Sequence, residues 1–298
     1  MRVVVTGASG FIGRALVAAL EPAHEVIGTD RADGDIADAE HVDRLFARPV
    51  DRMFHLAGIA SGAAEADVAA GSRVNLDATK LLLQACRRQR EHGGPVVRFV
   101  HASSIAVFGV PLPQRIDDAT LPTPTLHYGR DKRTCELLID DASQRGDLDG
   151  RSLRLAGVVV RPVLGNGARS AFNSDLIREP LAGRDYECPV GPEATIWITS
   201  LPTAIGQLLR LAEVEAAQLG AARAVTAPAL AVSVADIVAA LGRADPAAPT
   251  RVRCRPQADV EAQFGRWPRD ASFARADALG LPADACLDTL IASHLEAT

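Results

Sequence analysis

Short apolar runs alternate with longer amphipathic stretches through the first half of the chain. Runs rich in β-branched residues, such as Val3-Val4-Val5, are typical of buried parallel strands. Stretches with apolar residues three and four positions apart are typical of helices that bury one face. The predicted strands are residues 2–6, 24–30, 51–57, 96–103 and 152–160, and the predicted helices are residues 11–20, 39–47, 67–91 and 127–145. This repeat predicts an α/β fold, a Rossmann-type doubly wound parallel sheet with helices on both faces.

The alternation is lost after residue 160. Proline and glycine recur up to residue 192, with one short predicted helix at residues 173–182. We predict a larger domain of residues 1–165, to which residues 195–227 return, and a smaller mixed C-terminal domain of residues 166–194 and 228–298. Ligands of doubly wound folds bind at the carboxyl edge of the sheet, so we expect the smaller domain to supply the substrate contacts.

Composition narrows the class of protein further. The 298 residues are 48% apolar, and 32 basic residues stand against 37 acidic ones, for a formal net charge of −5. We therefore expect no broad cationic surface for nucleic acid or anionic lipid. No apolar run approaches the about 20 residues of a membrane span, and the chain opens on a strand rather than a signal peptide. The five cysteines are widely spaced without a Cys-x-x-Cys pair, which predicts no metal site and reduced thiols in a cytoplasmic protein.

A glycine-rich turn follows the first predicted strand and opens the first helix. Its residues 6–13 read Thr-Gly-Ala-Ser-Gly-Phe-Ile-Gly. Gly7 permits a tight turn, Gly10 lets the backbone approach a pyrophosphate, and Gly13 allows close packing of helix and strand. The helix N-terminus offers N–H donors and a favourable dipole for phosphates. The alternative is a glycine turn that binds nothing. The cofactor contacts predicted here are Gly7, Ser9, Gly10, Phe11, Ile12 and Gly13.

An acidic residue ends the second predicted strand. A carboxylate at Asp30 would accept hydrogen bonds from the adenosine ribose hydroxyls and would repel a 2′-phosphate, which favours NAD over NADP. The neighbouring Arg31 weakens that preference. Asp35 and Ile36 are predicted to flank the adenine, although a surface loop explains them nearly as well.

A tyrosine and a lysine lie four residues apart at the start of a predicted helix. The chain has only two tyrosines, and its only lysines are Lys80 and Lys132, so the pair Tyr128 and Lys132 is conspicuous. This spacing puts both side chains on one helix face. A phenol is a poor base at neutral pH, but a neighbouring ammonium and an oxidised nicotinamide ring favour the phenolate. Ser104 directly follows the fourth predicted strand, where its hydroxyl can either bond the reacting oxygen or cap the strand end.

In order and spacing, these motifs resemble the extended short-chain dehydrogenase/reductase superfamily over nearly the whole chain. The resemblance implies that Ser104 is the catalytic serine, Tyr128 the general acid/base and Lys132 its partner. It also implies a homodimer, in which apolar segments 81–83 and 137–139 either pair with the partner or simply pack on the sheet, and a structural or cofactor-adjacent role for His55. The further residues that it implies along the cofactor are Leu56, Ala57, Gly58, Asn75 and Ser103, with Tyr128 and Lys132.

Within the superfamily, the chain is most similar to the D-erythronate dehydrogenase branch. Segments 61–67, 153–162, 177–183 and 188–190 carry this resemblance, which implies NAD-dependent oxidation of a small sugar acid at carbon 2. A carboxylate substrate needs a positive or donor-rich anchor. The substrate contacts that we predict are Ser61, Ser104, Arg161, Ser170, Asn173 and Arg178, with Arg169 as a further candidate.

Two alternatives to the dehydrogenase stay open. The first is an epimerase of nucleoside-diphosphate sugars that keeps its NAD bound. Phe108 stands where such epimerases usually have tyrosine, and Asn166-Gly167 replaces their usual Gly-Pro. The second alternative is a non-catalytic NAD(H) sensor. Sensors of this kind usually lose the tyrosine or the lysine, and this chain has both.

Overall fold

The computed structural model describes residues 1–162 and 171–296. Its strands are β1 (Arg2–Thr6), β2 (Glu25–Thr29), β3 (Arg52–His55), β4 (Arg98–Ser104), β5 (Arg115–Ile116), β6 (Asp149–Leu155), β7 (Gly157–Val159), β8 (Tyr186–Cys188), β9 (Thr195–Ser200), β10 (Ala224–Thr226), β11 (Leu230–Ser233), β12 (Val252–Cys254) and β13 (Asp270–Ala271). Its α-helices are α1 (Phe11–Leu20), α2 (Ala39–Leu45), α3 (Ser61–Ala66), α4 (Val68–Ser72), α5 (Ala78–Glu91), α6 (His127–Gln144), α7 (Phe172–Leu181), α8 (Leu201–Glu213), α9 (Ala216–Leu219), α10 (Val234–Ala244), α11 (Ala258–Phe264), α12 (Ala274–Ala278) and α13 (Leu287–Glu296).

The first compact unit contains the predicted parallel sheet. It comprises Met1–Gly109, Pro122–Leu155 and Leu208–Thr226. Six strands lie in the order β10-β6-β4-β3-β1-β2, and every neighbouring pair is parallel. Parallel strands need crossover connections, and the helices between them supply these. The predicted doubly wound α/β fold is confirmed.

One face of this sheet packs against α5 and α6. Val4, Met53 and Phe99 on the central strands share a buried apolar cluster with Leu82 on α5 and Ile139 on α6. Burial on this scale is the main stabilising term of such a sheet. Leu82 and Ile139 belong to the two segments considered for homodimer pairing, and both are fully buried inside the unit.

The second unit is smaller and mixed. It comprises Val110–Leu121, Ala156–Gln207 and Ala227–Thr298. Its sheets are small, with the strand orders β11-β9-β7, β12-β8 and β13-β5. Trp197 on β9 is 1% exposed and lies 5.1 Å from Trp267 and 5.4 Å from Phe273, measured between ring centroids. Its indole N–H donates to the carbonyl of Pro268 at 2.8 Å. Trp197 is therefore an anchor of this core.

Three elements differ from the sequence expectation. The predicted strand 152–160 is two strands, because β6 ends at Leu155 in the six-stranded sheet and β7 pairs with β9 in the other unit. The segment that returns to the first unit begins at Leu208, since β9 is held in the second unit by β7 and β11. The predicted helix 67–91 is interrupted by a π-helical turn, Arg73–Asp77. Such turns are frequent at functional sites, and this one contains Asn75.

Two global features accord with the composition. None of the helices in the described stretches has the length and hydropathy to cross a bilayer. All five cysteines are free thiols, and Cys86, Cys135 and Cys188 are buried.

Candidate active site

The glycine turn between β1 and α1 is packed too tightly for side chains. Gly7 has φ +72°, and a Cβ there would lie 2.8 Å from the amide nitrogen of Ala57. A Cβ on Gly13 would lie 2.0 Å from the Gly7 carbonyl oxygen. No side chain of the described residues caps the N-terminus of α1, so its first amides are available to an anion. The turn therefore offers backbone donors of the kind that could hold a phosphate group.

Asp30 follows β2 beside this turn. Its carboxylate accepts hydrogen bonds from the Ser9 amide at 3.0 Å, the Ser9 hydroxyl at 2.6 Å and the Arg31 amide at 2.7 Å. Burial raises the pKa of Asp30, but these hydrogen bonds and Arg31 outweigh it and hold the pKa below its usual value. Asp30 is thus a charged acceptor at neutral pH. The groove of about 400 Å³ beside it is lined by Ala8, Ser9, Arg14, Val17, Ala18, Glu21, Gly28, Asp30 and Asp33.

The two residues predicted to flank the adenine already form contacts with other residues of the chain. Asp35 forms an ion pair with Arg73 at 2.5 Å. Ile36 is partly buried against the apolar cluster beneath the sheet. Any adenine contact from this pair therefore competes with contacts inside the chain.

The segment after β3 comes close to the lysine. Asn75 is fully buried, accepts a hydrogen bond from the Ile59 amide at 2.8 Å and donates to the Ile59 carbonyl at 3.1 Å. A Cβ on Gly58 would lie 2.9 Å from Asn75 Oδ1 and 3.7 Å from Lys132 Nζ. Glycine at position 58 therefore allows Asn75 to approach the backbone closely, next to the amine.

Ser104, Tyr128 and Lys132 all belong to the first unit. Lys132 is 3% exposed, its Nζ lies 5.9 Å from the Tyr128 ring centroid, and it donates to the Ala102 carbonyl at 2.8 Å. Ser104 ends β4, and its hydroxyl accepts a hydrogen bond from the Ala106 amide at 3.2 Å. The hydroxyl of Ser104 thus caps the turn that follows β4 and keeps its own proton available.

The start of α6 is fixed by residues that the sequence did not single out. A Cβ on Gly129 would lie 2.3 Å from the Ala106 carbonyl oxygen, so α6 packs directly on the turn after Ser104. The Tyr128 amide donates to Glu65 on α3 at 3.0 Å. The position of Gly129 between Tyr128 and Lys132 is the sequence feature that could have predicted this close packing.

Ser103 is turned away from this site. Its hydroxyl donates to Glu136 Oε1 at 2.7 Å, so a cofactor contact from Ser103 falls to its backbone. Glu136 is fully buried, and Arg154 binds both of its oxygens, at 2.9 and 2.8 Å. Glu136 lies four residues after Lys132 on α6. The sequence did not predict its buried ion pair with Arg154.

His55 lies beneath the site and is not a proton carrier. Its ring nitrogens lie 2.7 Å from the Thr6 hydroxyl and 3.0 Å from the Thr79 hydroxyl. Burial, assisted by Lys132, lowers the pKa of His55 to about 3. The ring is therefore neutral and ties β1 and β3 to the start of α5.

The predicted substrate residues are divided between the units. Ser61 begins α3 in the first unit. In the second unit, Arg178 donates to the Arg161 carbonyl, to Asp175 and to Glu179, so its guanidinium is already occupied. Asn173 is 8% exposed, and its Oδ1 has no hydrogen-bond partner among the described residues. Ser170, together with Arg169 and Asn166-Gly167, lies outside the described residues.

No metal-binding constellation is seen within residues 1–162 and 171–296, where no three His, Cys, Asp or Glu side chains are grouped for an ion. The first unit instead carries a serine hydroxyl, a phenol and an amine at the end of β4 and the start of α6. Such a set can move a proton to or from an alcohol oxygen.

Comparison with known proteins gives full-length matches. The family described as NAD dependent epimerase/dehydratase matches residues 3–195. A D-erythronate dehydrogenase from Cupriavidus necator is 37% identical, covering 99% of this chain and 98% of that protein. A D-erythronate dehydrogenase from Haemophilus influenzae is 31% identical, covering 99% of both. The crystal structure of a nucleoside-diphosphate-sugar epimerase from Agrobacterium tumefaciens has a TM-score of 0.92 at 31% identity, covering 99% of this chain and 94% of that one.

Proposed function

Because the chain belongs to the NAD dependent epimerase/dehydratase family, we propose that it is an NAD-dependent dehydrogenase that oxidises D-erythronate at carbon 2 to 2-oxo-tetronate. The observation that carries this proposal is the match to two D-erythronate dehydrogenases over 98–99% of both chains. A full-length match includes the second unit as well as the dinucleotide turn, so it bears on the substrate as well as on the cofactor.

The first unit fits the cofactor. Gly7, Gly10 and Gly13 let the turn pack closely against its own backbone at the N-terminus of α1, where a pyrophosphate would bind, and Asp30 offers a charged acceptor for ribose hydroxyls. Bound NAD would take up the hydride that leaves carbon 2. The remaining chemistry, orientation and proton transfer, belongs to the protein.

Three side chains share that chemistry in the proposed mechanism. Tyr128, as phenolate, takes the proton of the carbon-2 hydroxyl. The Lys132 amine, 5.9 Å from the Tyr128 ring centroid, would place a positive charge beside the phenol and would hold the nicotinamide ribose. Ser104 donates a hydrogen bond to the same oxygen as it becomes a carbonyl. Proton transfer by a placed base contributes about 10²–10⁴-fold to such a rate.

Among the proposed substrate contacts, Asn173 has the best structural support. Its buried amide oxygen finds no partner in the described part of the chain, which is costly unless a further group satisfies it, and a substrate hydroxyl would do so. Arg178 has the weakest support because its guanidinium is bound to neighbouring acids.

The test is NADH formation by the purified protein with NAD and D-erythronate, its four-carbon stereoisomers or UDP-sugars, assayed in parallel. We expect turnover with D-erythronate and little with NADP. Interconversion of a UDP-sugar without net NADH would instead establish the epimerase, a function that the similarity to the Agrobacterium epimerase makes the second candidate.

A charge-neutral variant tests cofactor choice. Asp30→Asn is expected to lower kcat/KM for NAD by about 10–100-fold, because a hydrogen bond to a charged group contributes that much to binding. The kcat/KM for NADP should stay unchanged or rise. Glu21→Gln is the matched control, since Glu21 lines the same groove and loses the same charge. Equal loss in both variants would mean that net charge, rather than Asp30, governs NAD binding.

A further inference from the structure

Two buried histidines lie side by side beneath the catalytic pair. His55 on β3 and His101 on β4 are register partners, each at most 1% exposed, with ring centroids 5.9 Å apart and planes inclined by 26°. Both nitrogens of His55 face threonine hydroxyls. His101 differs, because its Nδ1 lies 3.2 Å from the Ser152 hydroxyl while its Nε2 lies 3.5 Å from Lys132 Nζ.

The partners of His101 fix its protonation. A lysine ammonium has only donors, so Nε2 must accept and Nδ1 must carry the proton, which it donates to Ser152 Oγ. Burial, together with Lys132 and His55, holds the pKa of His101 well below its usual value. In this tautomer the neutral His101 ring presents Nε2 to the Lys132 amine as a hydrogen-bond acceptor.

We propose that His101 is the positioning residue of Lys132, a role that rests on the proposed dehydrogenase function. The Ala102 carbonyl and His101 Nε2 anchor the amine from the β4 side. Of the three N–H donors of the ammonium, one then remains for the ribose of the dinucleotide. Loss of His101 leaves a single anchor, and the charge that favours the Tyr128 phenolate is no longer held in place.

A purely structural role explains His101 less well. An apolar ring of the same size would fill the site without the cost of burying two ring nitrogens. On α6 itself, the Lys132 amine has Tyr128, Asp131 and Cys135 as neighbours. His55 forms its hydrogen bonds with threonine hydroxyls and none with Lys132. Among these neighbours, His101 offers a neutral acceptor that is within hydrogen-bonding reach of the amine.

The test compares His101→Phe, which keeps a ring without the acceptor, with His101→Gln, whose amide oxygen can reach the Nε2 position. In His101→Phe we expect the acidic limb of the pH profile of kcat/KM to move up by about one pH unit, a tenfold loss at the foot of that limb. His101→Gln should restore most of the wild-type profile. His55→Gln is the matched control, equally buried, and should leave the position of the limb unchanged.

A second readout needs no turnover. The chain has two tyrosines, and burial raises the pKa of Tyr186 well above its usual range, so the first phenolate seen by ultraviolet titration belongs to Tyr128. Its formation should move to higher pH in folded His101→Phe and return in His101→Gln. If the wild-type protein forms NADH but His101→Phe shifts neither the pH profile nor the phenolate titration, the positioning role is overturned and the proposed function stands. If the wild-type protein forms no NADH, the proposed dehydrogenase function fails. The phenolate titration then decides the role of His101 by itself. If His101→Phe does not fold, a wild-type profile in His101→Ala would overturn the role.

Discussion

Replacing Tyr128 with phenylalanine is expected to lower kcat for sugar-acid oxidation by about 10²–10⁴-fold while the affinity for NAD changes little. The hydroxyl that is lost is the proposed base, and the ring that remains still packs at the start of α6 beside Lys132. Steady-state kinetics of NADH formation measure kcat, and NADH binding followed by fluorescence measures the affinity for the cofactor. A fall in kcat with unchanged binding assigns the loss to proton transfer.

The chain supplies a matched control for this prediction. Tyr186, the other tyrosine, is partly buried against the core of the second unit, and Tyr186→Phe removes the same hydroxyl there. We expect Tyr186→Phe to keep kcat within about twofold, since Tyr186 belongs to the second unit, whereas the proposed base, amine and serine belong to the first. A Tyr128→Phe enzyme that keeps more than a tenth of wild-type kcat would remove the base from the mechanism.

The parts of the fold that the sequence predicted well are those that local chemistry determines. The bounds of β1 and α1 match the predicted residues 2–6 and 11–20. A β-branched run, a glycine turn and an amphipathic helix leave little choice there, because each local preference agrees with the next. The same locality made the lysine and tyrosine of α6 visible, since a spacing of four residues is read directly from the chain.

The parts that were missed depend on long-range packing. The apolar run from Leu155 to Val159 reads as one strand, because its single glycine, Gly157, is only a weak signal that the two halves join different sheets. Arg178 suggested a carboxylate anchor, yet its own neighbours Asp175 and Glu179 bind it. Glu136 and His101 are polar residues whose partners lie on other elements, so only the fold reveals what they do.

The second large expected effect is on stability, from Arg154→Leu. Arg154 on β6 and Glu136 on α6 have side chains 11% and 0% exposed, and the guanidinium binds both carboxylate oxygens. Removing one partner of a buried pair leaves a charge without compensation, which costs about 3–5 kcal/mol. Arg133, which is 28% exposed, and the Ser103 hydroxyl are the contacts that remain to Glu136. We expect a loss near the lower end of that range, measured by urea unfolding.

Two further variants show whether burial is the cause. Arg243→Leu removes the same guanidinium from a paired contact with Asp288, but both side chains there are more than half exposed, and such pairs contribute about 0–1 kcal/mol. The double variant Arg154→Leu, Glu136→Leu replaces the ion pair by apolar side chains and should recover most of the loss, because the desolvation cost of both charges disappears. If the double variant is as unstable as Arg154→Leu, packing around Arg154 rather than the stranded charge of Glu136 causes the loss. Recovery would instead mean that the ion pair contributes little net stability, because the desolvation cost of its two charges offsets their attraction.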